Sequence, residues 1–384
     1  MHDRRTGRGH GQRQHPLTHT GDNVKYSSTL ILIPLLAAGC ACAQGQTAVT
    51  IYGVVDAAVV GERGGSAGSV TKVTSGAATA SRIGFRGAED LGHGLSAFFI
   101  LETGAKIDTG EIDAAGTIFN RQALVGFKGR LGTLSVGRQA TPYHNTLVNV
   151  VDPFGTSYAG TSKNLFPDWG TNVRTSNTIA YATPRSHGVD AELAYSAGEQ
   201  AALSAGRQFG GAVGYAAGPL AVRVAYNSKN SDIAASAGAT AVSRSLGRNL
   251  LLGANYDFGW IKLHAGYGVD KGFNSAPLGN ANNPYGGVRP TPSTDSRDLL
   301  AGFSAPAGPG TLMFSVMRKD DRTGLDQDAG SWGVAYWYAL SKRTGLYGAY
   351  GHIRNRNGAG YTVANNTEAG SGNSAFNVGI RQTF

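Results

Sequence analysis

The chain has 384 residues, 57 of them glycine, with 41% hydrophobic and 15% charged residues and a formal net charge of +9. It is too apolar for disorder and too rich in glycine for a helical protein, since glycine costs stability in helices but suits crowded or bent sheet positions; the expected class is all-β. The basic excess is spread along the chain rather than run together, which speaks against a nucleic-acid surface.

The first element is the apolar run Leu30-Ile31-Leu32-Ile33-Pro34-Leu35-Leu36-Ala37-Ala38. It is too short to cross a bilayer as a helix but has the length of a signal-peptide core. Ala41-Cys42-Ala43 then supplies small residues before a cleavage between Ala43 and Gln44. Residues 1–43 are thus read as an N-terminal extension plus signal peptide, and 44–384 as the mature domain. A buried core helix and lipidation at Cys40 are the other readings; Ala37 stands where lipoprotein signals favour leucine. Val24-Lys25-Tyr26-Ser27-Ser28 reads as an ordinary signal start if Val24 is the initiating residue. Both cysteines, Cys40 and Cys42, leave with the signal, so the mature chain is expected to hold no disulfide and no thiolate metal site. It keeps 29 basic and 23 acidic residues, a net +6.

Beyond residue 43 the pattern has period 2 in segments of about ten residues, the length a tilted strand needs to cross an outer membrane. Leu220, Val222, Val224 and Tyr226 alternate with Ala221, Arg223 and Ala225. Ile261, Leu263, Ala265 and Tyr267 alternate with Lys262, His264 and Gly266. Sixteen strands are predicted, near 48–60, 80–88, 95–104, 119–128, 133–140, 174–183, 188–197, 206–216, 220–228, 247–257, 260–269, 297–305, 310–319, 329–340, 344–354 and 374–384.

The connections alternate between tight turns, such as Gly129-Arg130-Leu131-Gly132 and Ala217-Gly218-Pro219, and long segments such as 61–79, 141–173, 270–296 and 355–373. Short turns on one side and long loops on the other are the asymmetry of outer-membrane barrels. Aromatics near strand ends, including Tyr256, Phe258, Trp260, Tyr336 and Tyr338, fit a girdle at the membrane interfaces. No stretch of the mature chain approaches ~18 continuous apolar residues, so a spanning structure would have to be a closed barrel.

Several motifs, in order, resemble the trimeric general-diffusion porins of betaproteobacteria. They are Val49-Thr50-Ile51-Tyr52-Gly53-Val54-Val55-Asp56, Ser81-Arg82-Ile83-Gly84-Phe85-Arg86-Gly87 with Glu89-Asp90-Leu91-Gly92, Phe119-Asn120-Arg121-Gln122, Val136-Gly137-Arg138-Gln139, Leu340-Ser341-Lys342-Arg343-Thr344 and the terminal Gly379-Ile380-Arg381-Gln382-Thr383-Phe384. The resemblance spans the mature chain. It implies a sixteen-stranded antiparallel transmembrane barrel, a homotrimer in a Gram-negative outer membrane, and a third external loop, here 141–173, folded into the lumen. It also implies that Phe384 is the terminal aromatic read by the barrel-insertion machinery.

By the same resemblance Arg82, Arg121 and Arg174 form a basic cluster at the pore constriction, with Asp152 of the loop nearby. Alternation independently aims Arg82 and Arg86 opposite Ile83 and Phe85, and Arg174 opposite Ile179 and Tyr181. Arg121 falls on the face of Val125 and Phe127, so a bulge must turn it inward or it does not belong to the cluster. Asp152 precedes Pro153, whereas the family's acid follows the proline; facing the pore and starting a turn both remain open for it. Arg223 and Lys262 are further lumen-facing candidates.

The five remaining histidines, His93, His144, His187, His264 and His352, lack metal-ligand spacing, and no cofactor or metal is expected. The predicted function is passive diffusion of small hydrophilic solutes and ions, with anions preferred. The expected partners are further copies of the chain, outer-membrane lipid and lipopolysaccharide, the insertion machinery and the solutes. A substrate-specific channel of the same fold and an outer-membrane enzyme or adhesin are the rival readings; a Ser-His-acid site around His144 and Asp152 has no nucleophile motif to support it.

Overall fold

The computed structural model describes residues 48–65, 68–200, 204–235, 238, 240–273 and 293–384. The cleavage residues Ala43 and Gln44, with the whole of 1–43, lie outside the described residues. Among the described residues there are seventeen strands: β1 (Ala48–Gly65), β2 (Gly68–Ser75), β3 (Arg82–Gly92), β4 (Leu95–Gly104), β5 (Gln122–Gly129), β6 (Gly132–Ala140), β7 (Arg174–Ala182), β8 (Val189–Ser196) and β9 (Gln208–Ala217). The remainder are β10 (Leu220–Lys229), β11 (Gly247–Asp257), β12 (Lys262–Lys271), β13 (Asp295–Ala307), β14 (Gly310–Asp321), β15 (Ala329–Ala339), β16 (Thr344–Asn355) and β17 (Ser374–Thr383).

From β3 onward each strand pairs antiparallel with the next, and β17 returns to β1, so the sheet closes. Sixteen wall positions result, because β2 and β3 share one. The first half of β1 pairs with β3 and the second half with β2. The 68–75 stretch, expected inside a loop, is therefore strand; its two apolar residues, Val70 and Val73, fall on opposite faces, so no apolar alternation reveals it.

Asp56 pins the interruption between β2 and β3. Its carboxylate accepts the Tyr347 hydroxyl at 2.7 Å and the Thr79 amide at 3.2 Å, while its backbone N–H donates to Ser81 Oγ at 2.9 Å. Gly76 adopts φ 77° there, the left-handed region that glycine enters without strain. Closure is also visible at the terminus. Phe384 exchanges two backbone hydrogen bonds with Gly53, each 3.1 Å, and its ring covers Gly53, where a Cβ would collide with it.

The two faces of the wall separate by parity. Ile51, Val125, Phe127, Val213, Leu252, Leu263, Leu299, Val316 and Val378 are exposed on one face, which is apolar. The opposite face carries buried Asp56, Glu102, Arg223, Asn227, Asn255, Asp298, Lys319 and Asn377. In a closed barrel that crosses lipid, the first set must look outward and the second into the lumen.

The 141–173 segment lies against this polar face. Thr141 caps a helical turn, α1 (Pro142–Thr146), by accepting the His144 amide at 3.1 Å, and the chain continues as a wider turn over Leu147–Val151. Tyr143, Leu147, Val151, Leu165 and Phe166 are fully buried. Val151 sits on Gly253 and Gly266, and Gly160 on Gly333, close approaches that a side chain would block. Asn255 Nδ2 donates to the Val150 carbonyl at 3.0 Å, and Ser315 Oγ to the Gly160 carbonyl at 3.2 Å.

Candidate functional site

Glu102 on β4 is the hub of a cationic cluster on the lumen face. It is 3% exposed. Arg121 Nε donates to its Oε1 at 2.7 Å, Arg82 Nε stands 3.4 Å from its Oε2, and the Tyr52 hydroxyl donates to Oε2 at 3.0 Å. Two hydrogen-bond donors and the neighbouring Arg82 charge on one carboxylate explain how this acid tolerates burial. Arg86, two lumen positions below Arg82, holds its guanidinium 5.3 Å from the Tyr52 ring centre.

Arg121 joins the cluster without a bulge in β5. That strand begins at Gln122, three residues later than the sequence pattern suggests, so Arg121 is outside the regular alternation. Its amide bonds the Glu102 carbonyl at 3.2 Å, and its side chain is free to turn to the Glu102 carboxylate.

Arg174, the first residue of β7, has Arg121, Glu102 and Asp168 as electrostatic neighbours. The simple alternation from Ile179 back to Arg174 does not hold. Register shifts between Gly137 and Gln139 on β6, and Asn177 turns to φ 55°. Thr175 and Thr178 consequently both point to the buried face and share a 2.8 Å hydrogen bond.

Asp152 is taken up by its own loop. It is 2% exposed, and its two oxygens accept the amides of Phe154 (2.9 Å), Thr156 (3.1 Å) and Ser162 (2.9 Å) and the Thr161 hydroxyl (3.2 Å). Of the two roles open to it in the sequence, this geometry is that of the turn. Burial pushes its carboxyl above the ordinary range, against the pull of those donors. Asp168 is likewise engaged, by His144 Nδ1 at 2.8 Å with Lys163 Nζ 3.9 Å away. Burial alone would raise Asp168, but His144 and Lys163 hold it below the usual carboxylate range. Lys163 is lowered by its burial and lies 4.2 Å from the Trp169 ring centre. Neither loop acid has a carboxylate oxygen turned to Arg82 or Arg121.

The remaining candidates lie apart. Arg223 on β10 is bound to Asp190 and, at 2.9 Å, to Glu192, so two acids answer it. Lys262 begins β12, at the tight-turn end of the wall. One cluster neighbour escaped the sequence reading. Arg381 on β17 stacks 4.0 Å from the Trp337 ring centre and donates to Thr79 Oγ1 at 3.0 Å. Its signal was present: Phe376, Val378 and Ile380 face outward, so Arg381 must face in.

Comparison with known proteins places this wall among relatives. A family profile described as Gram-negative porin matches residues 28–358. The chain is 31% identical to outer membrane porin protein 32 of Delftia acidovorans, over 93% of this chain and 99% of that protein. It is 30% identical to an outer membrane porin of Bordetella pertussis, over the same shares. Among solved structures, the anion-selective porin from Comamonas acidovorans matches with a TM-score of 0.71 at 28% identity, covering 88% of this chain and 100% of that one.

Proposed function

The chain belongs to the Gram-negative porin family, and from its lumen wall we propose how it selects what passes. It is an outer-membrane barrel for passive diffusion of small hydrophilic solutes. In our reading the 141–173 loop narrows the lumen, and Arg82, Arg121 and Arg174, joined by Arg381, form one side of the narrow point. The observation that carries this reading is the count of free charge. Among the described residues Glu102 is the cluster's one acid at hydrogen-bonding distance, while Asp152 and Asp168 of the loop are already engaged. The narrow point is then net positive, and anions are preferred. The same preference stands in the name of the Comamonas relative.

Two charges ~4 Å apart interact by ~1 kcal/mol at bulk-water dielectric and by severalfold more near low-dielectric walls. A difference of ~1.4 kcal/mol between an anion and a cation gives about tenfold selectivity. The test is the reversal potential of a planar bilayer in a salt gradient. A positive result favours Cl⁻ at low salt; a channel that favours K⁺ overturns the charge assignment.

The mature protein is further read as a homotrimer that starts at Gln44 and performs no catalysis. His144 bonds Asp168 rather than Asp152. Unheated protein should run near three chains on a detergent gel and heated protein near one.

A further inference from the structure

The motif Val136-Gly137-Arg138-Gln139 contains a basic residue that the lumen cluster does not absorb. On β6, Leu134 and Val136 are exposed while Ser135 and Gln139 are buried, so alternation puts Arg138 on the outer face of the wall. Its direct cross-strand partner on β5 is Ala123. A neighbour as small as alanine lets the long stem of an arginine lie along the wall instead of standing away from it. From there the guanidinium reaches both adjoining strands.

Toward β5, Arg138 Nε donates to the carbonyl of Asn120, the residue before Arg121. Continued upward, the register that sets Ala123 opposite Arg138 would bring Thr141 opposite Asn120. Thr141 has already left the wall, and its amide donates to the Val173 carbonyl at 3.0 Å. The Arg138 side chain thus stands in for a missing backbone donor. The same peptide unit is held from the other side by β4. The Arg121 amide donates to the Glu102 carbonyl at 3.2 Å, although the ladder partner of Glu102 is Gln122. The chain is one residue out of register where it enters β5, and a slip of one residue turns a side chain to the opposite face. Arg121, outward by parity, reaches the Glu102 carboxylate inside the lumen for this reason.

Toward β7, Arg138 Nη1 donates to Ser176 Oγ at 2.9 Å. Gly137 pairs with Thr178 and Gln139 with Thr175, so Arg138 by itself faces two residues, Ser176 and Asn177. That irregularity separates Arg174 from the regular part of β7. One guanidinium therefore ties down both places where the wall departs from alternation, one beside Arg121 and one beside Arg174. A planar fork of donors serves two acceptors at once, which the single point of a lysine ammonium does not.

We propose that Arg138, on the outer face, is a positioning residue of the anion-selecting cluster: by holding the Asn120 carbonyl and the Ser176 hydroxyl it keeps Arg121 and Arg174 turned into the lumen. The proposal rests on the reading of that cluster as the selective point and adds to it the part that aims it. Arg138 does not meet the ions, because the wall stands between them.

The test is the reversal potential in a KCl gradient at low salt. Arg138→Met keeps much of the side chain's length and removes its donors; it should lower the anion preference about threefold, the share of a single arginine. Arg138→Lys keeps the charge but not the fork, and should still lower the preference about twofold. In an Arg121→Gln/Arg174→Gln background, Arg138→Met should change nothing further, since residues that act as one unit are not additive. An unaltered preference in Arg138→Lys, or the same loss from Arg138→Met in both backgrounds, overturns the proposal in favour of a charge acting through the wall. Less inserted protein at an unaltered preference also overturns it, in favour of a role in stability alone. If Arg138→Met fails to insert, Ser176→Ala decides, because it leaves every charge in place. It should lower the preference about 1.5-fold and do nothing in an Arg174→Gln background; an unaltered preference overturns the proposal. If Arg121→Gln/Arg174→Gln itself leaves the preference as it was, the cluster reading falls and this proposal with it. If that pair lowers the preference and Arg138→Met does not, only the role of Arg138 falls.

Discussion

On β3, Arg82 and Arg86 flank Gly84 on the lumen face; on β11, β13 and β14, Arg248, Arg297 and Arg318 stand outside, each two residues above an apolar neighbour. Residue type and fold are the same, and a shift of one position decides the side. The consequences differ because the surroundings differ. Arg82 shares Glu102 with Arg121 and Tyr52 in a half-buried cluster, where low-dielectric walls strengthen each charge. Arg318 is 62% exposed at the membrane rim, where salt screens it. Inward arginines are placed to act on what passes through, whereas Arg248, Arg297 and Arg318 have the wall between them and the ion path.

The sharpest way to break this contrast is to neutralise each set in turn. Arg82→Gln with Arg174→Gln should lower the preference for Cl⁻ over K⁺ about tenfold at low salt, or invert it. Arg297→Gln with Arg318→Gln should move it by less than about twofold, because those charges stand on the far side of the wall from the ion path and are exposed to screening salt. Reversal potentials in a salt gradient measure both. Equal shifts from the two pairs would end the division into inner and outer roles. In 1 M salt, where the screening length falls to about 3 Å, the unaltered channel should lose most of its preference.

A second contrast lies between charge and closure. Phe384 belongs to the outer face, where its ring covers Gly53 and its backbone completes the join between the chain ends. Deleting it should reduce the amount of protein inserted in the membrane severalfold and leave the selectivity of the pores that do form unchanged. Quantitative blots of outer-membrane fractions beside single-channel records check both halves; normal insertion contradicts the role.

Asp152 offers an intermediate effect. Its carboxylate gathers four donors of the loop, three of them backbone amides. Asp152→Ala leaves those donors without their acceptor, at a cost of about 3 kcal/mol if they stay buried. The loop should loosen, which would appear as noisier current at a selectivity close to that of the unaltered protein. A large selectivity change without added noise would mean that Asp152 acts on the ions directly.

Much of this was readable from alternation alone. The sixteen wall positions, the outward Leu, Val and Ile, and the inward Arg82 and Arg86 all follow from period 2 and the spacing of turns. The failures have local causes. β2 has Val70 and Val73 on opposite faces among Gly, Ser, Thr and Lys, and so reads as loop. Parity carried Arg174 across a bulge at Asn177 that the sequence does not announce. Arg121 was judged by the parity of a strand that begins one residue after it. Asp152 satisfies donors that are close only once 152–162 has folded, a relation that no spacing rule reports. Arg381 and the outward arginines were within reach of the same alternation and needed only the step from face to neighbours.

Arg381 supplies the finest test, because it separates having a charge from presenting it. It faces the lumen, as Arg82 does, but its guanidinium lies 4.0 Å from the Trp337 ring centre and donates to Thr79 at 3.0 Å. Stacking on an indole face holds the group in place and covers one side of it. A passing anion therefore meets less of Arg381 than of a group that is free to turn. Arg381→Gln should lower the anion preference by about twofold, less than Arg82→Gln does, since a partly covered charge contributes a smaller share of the local potential. Arg381→Lys keeps the charge but replaces the planar group by one that stacks poorly and moves freely. It should hold the preference at the unaltered value or raise it slightly, and permeability ratios from reversal potentials resolve changes of that size. If Arg381→Gln instead matches the loss from Arg82→Gln, the stacked guanidinium is as open to ions as the rest of the cluster, and the inner wall acts as one continuous basic surface.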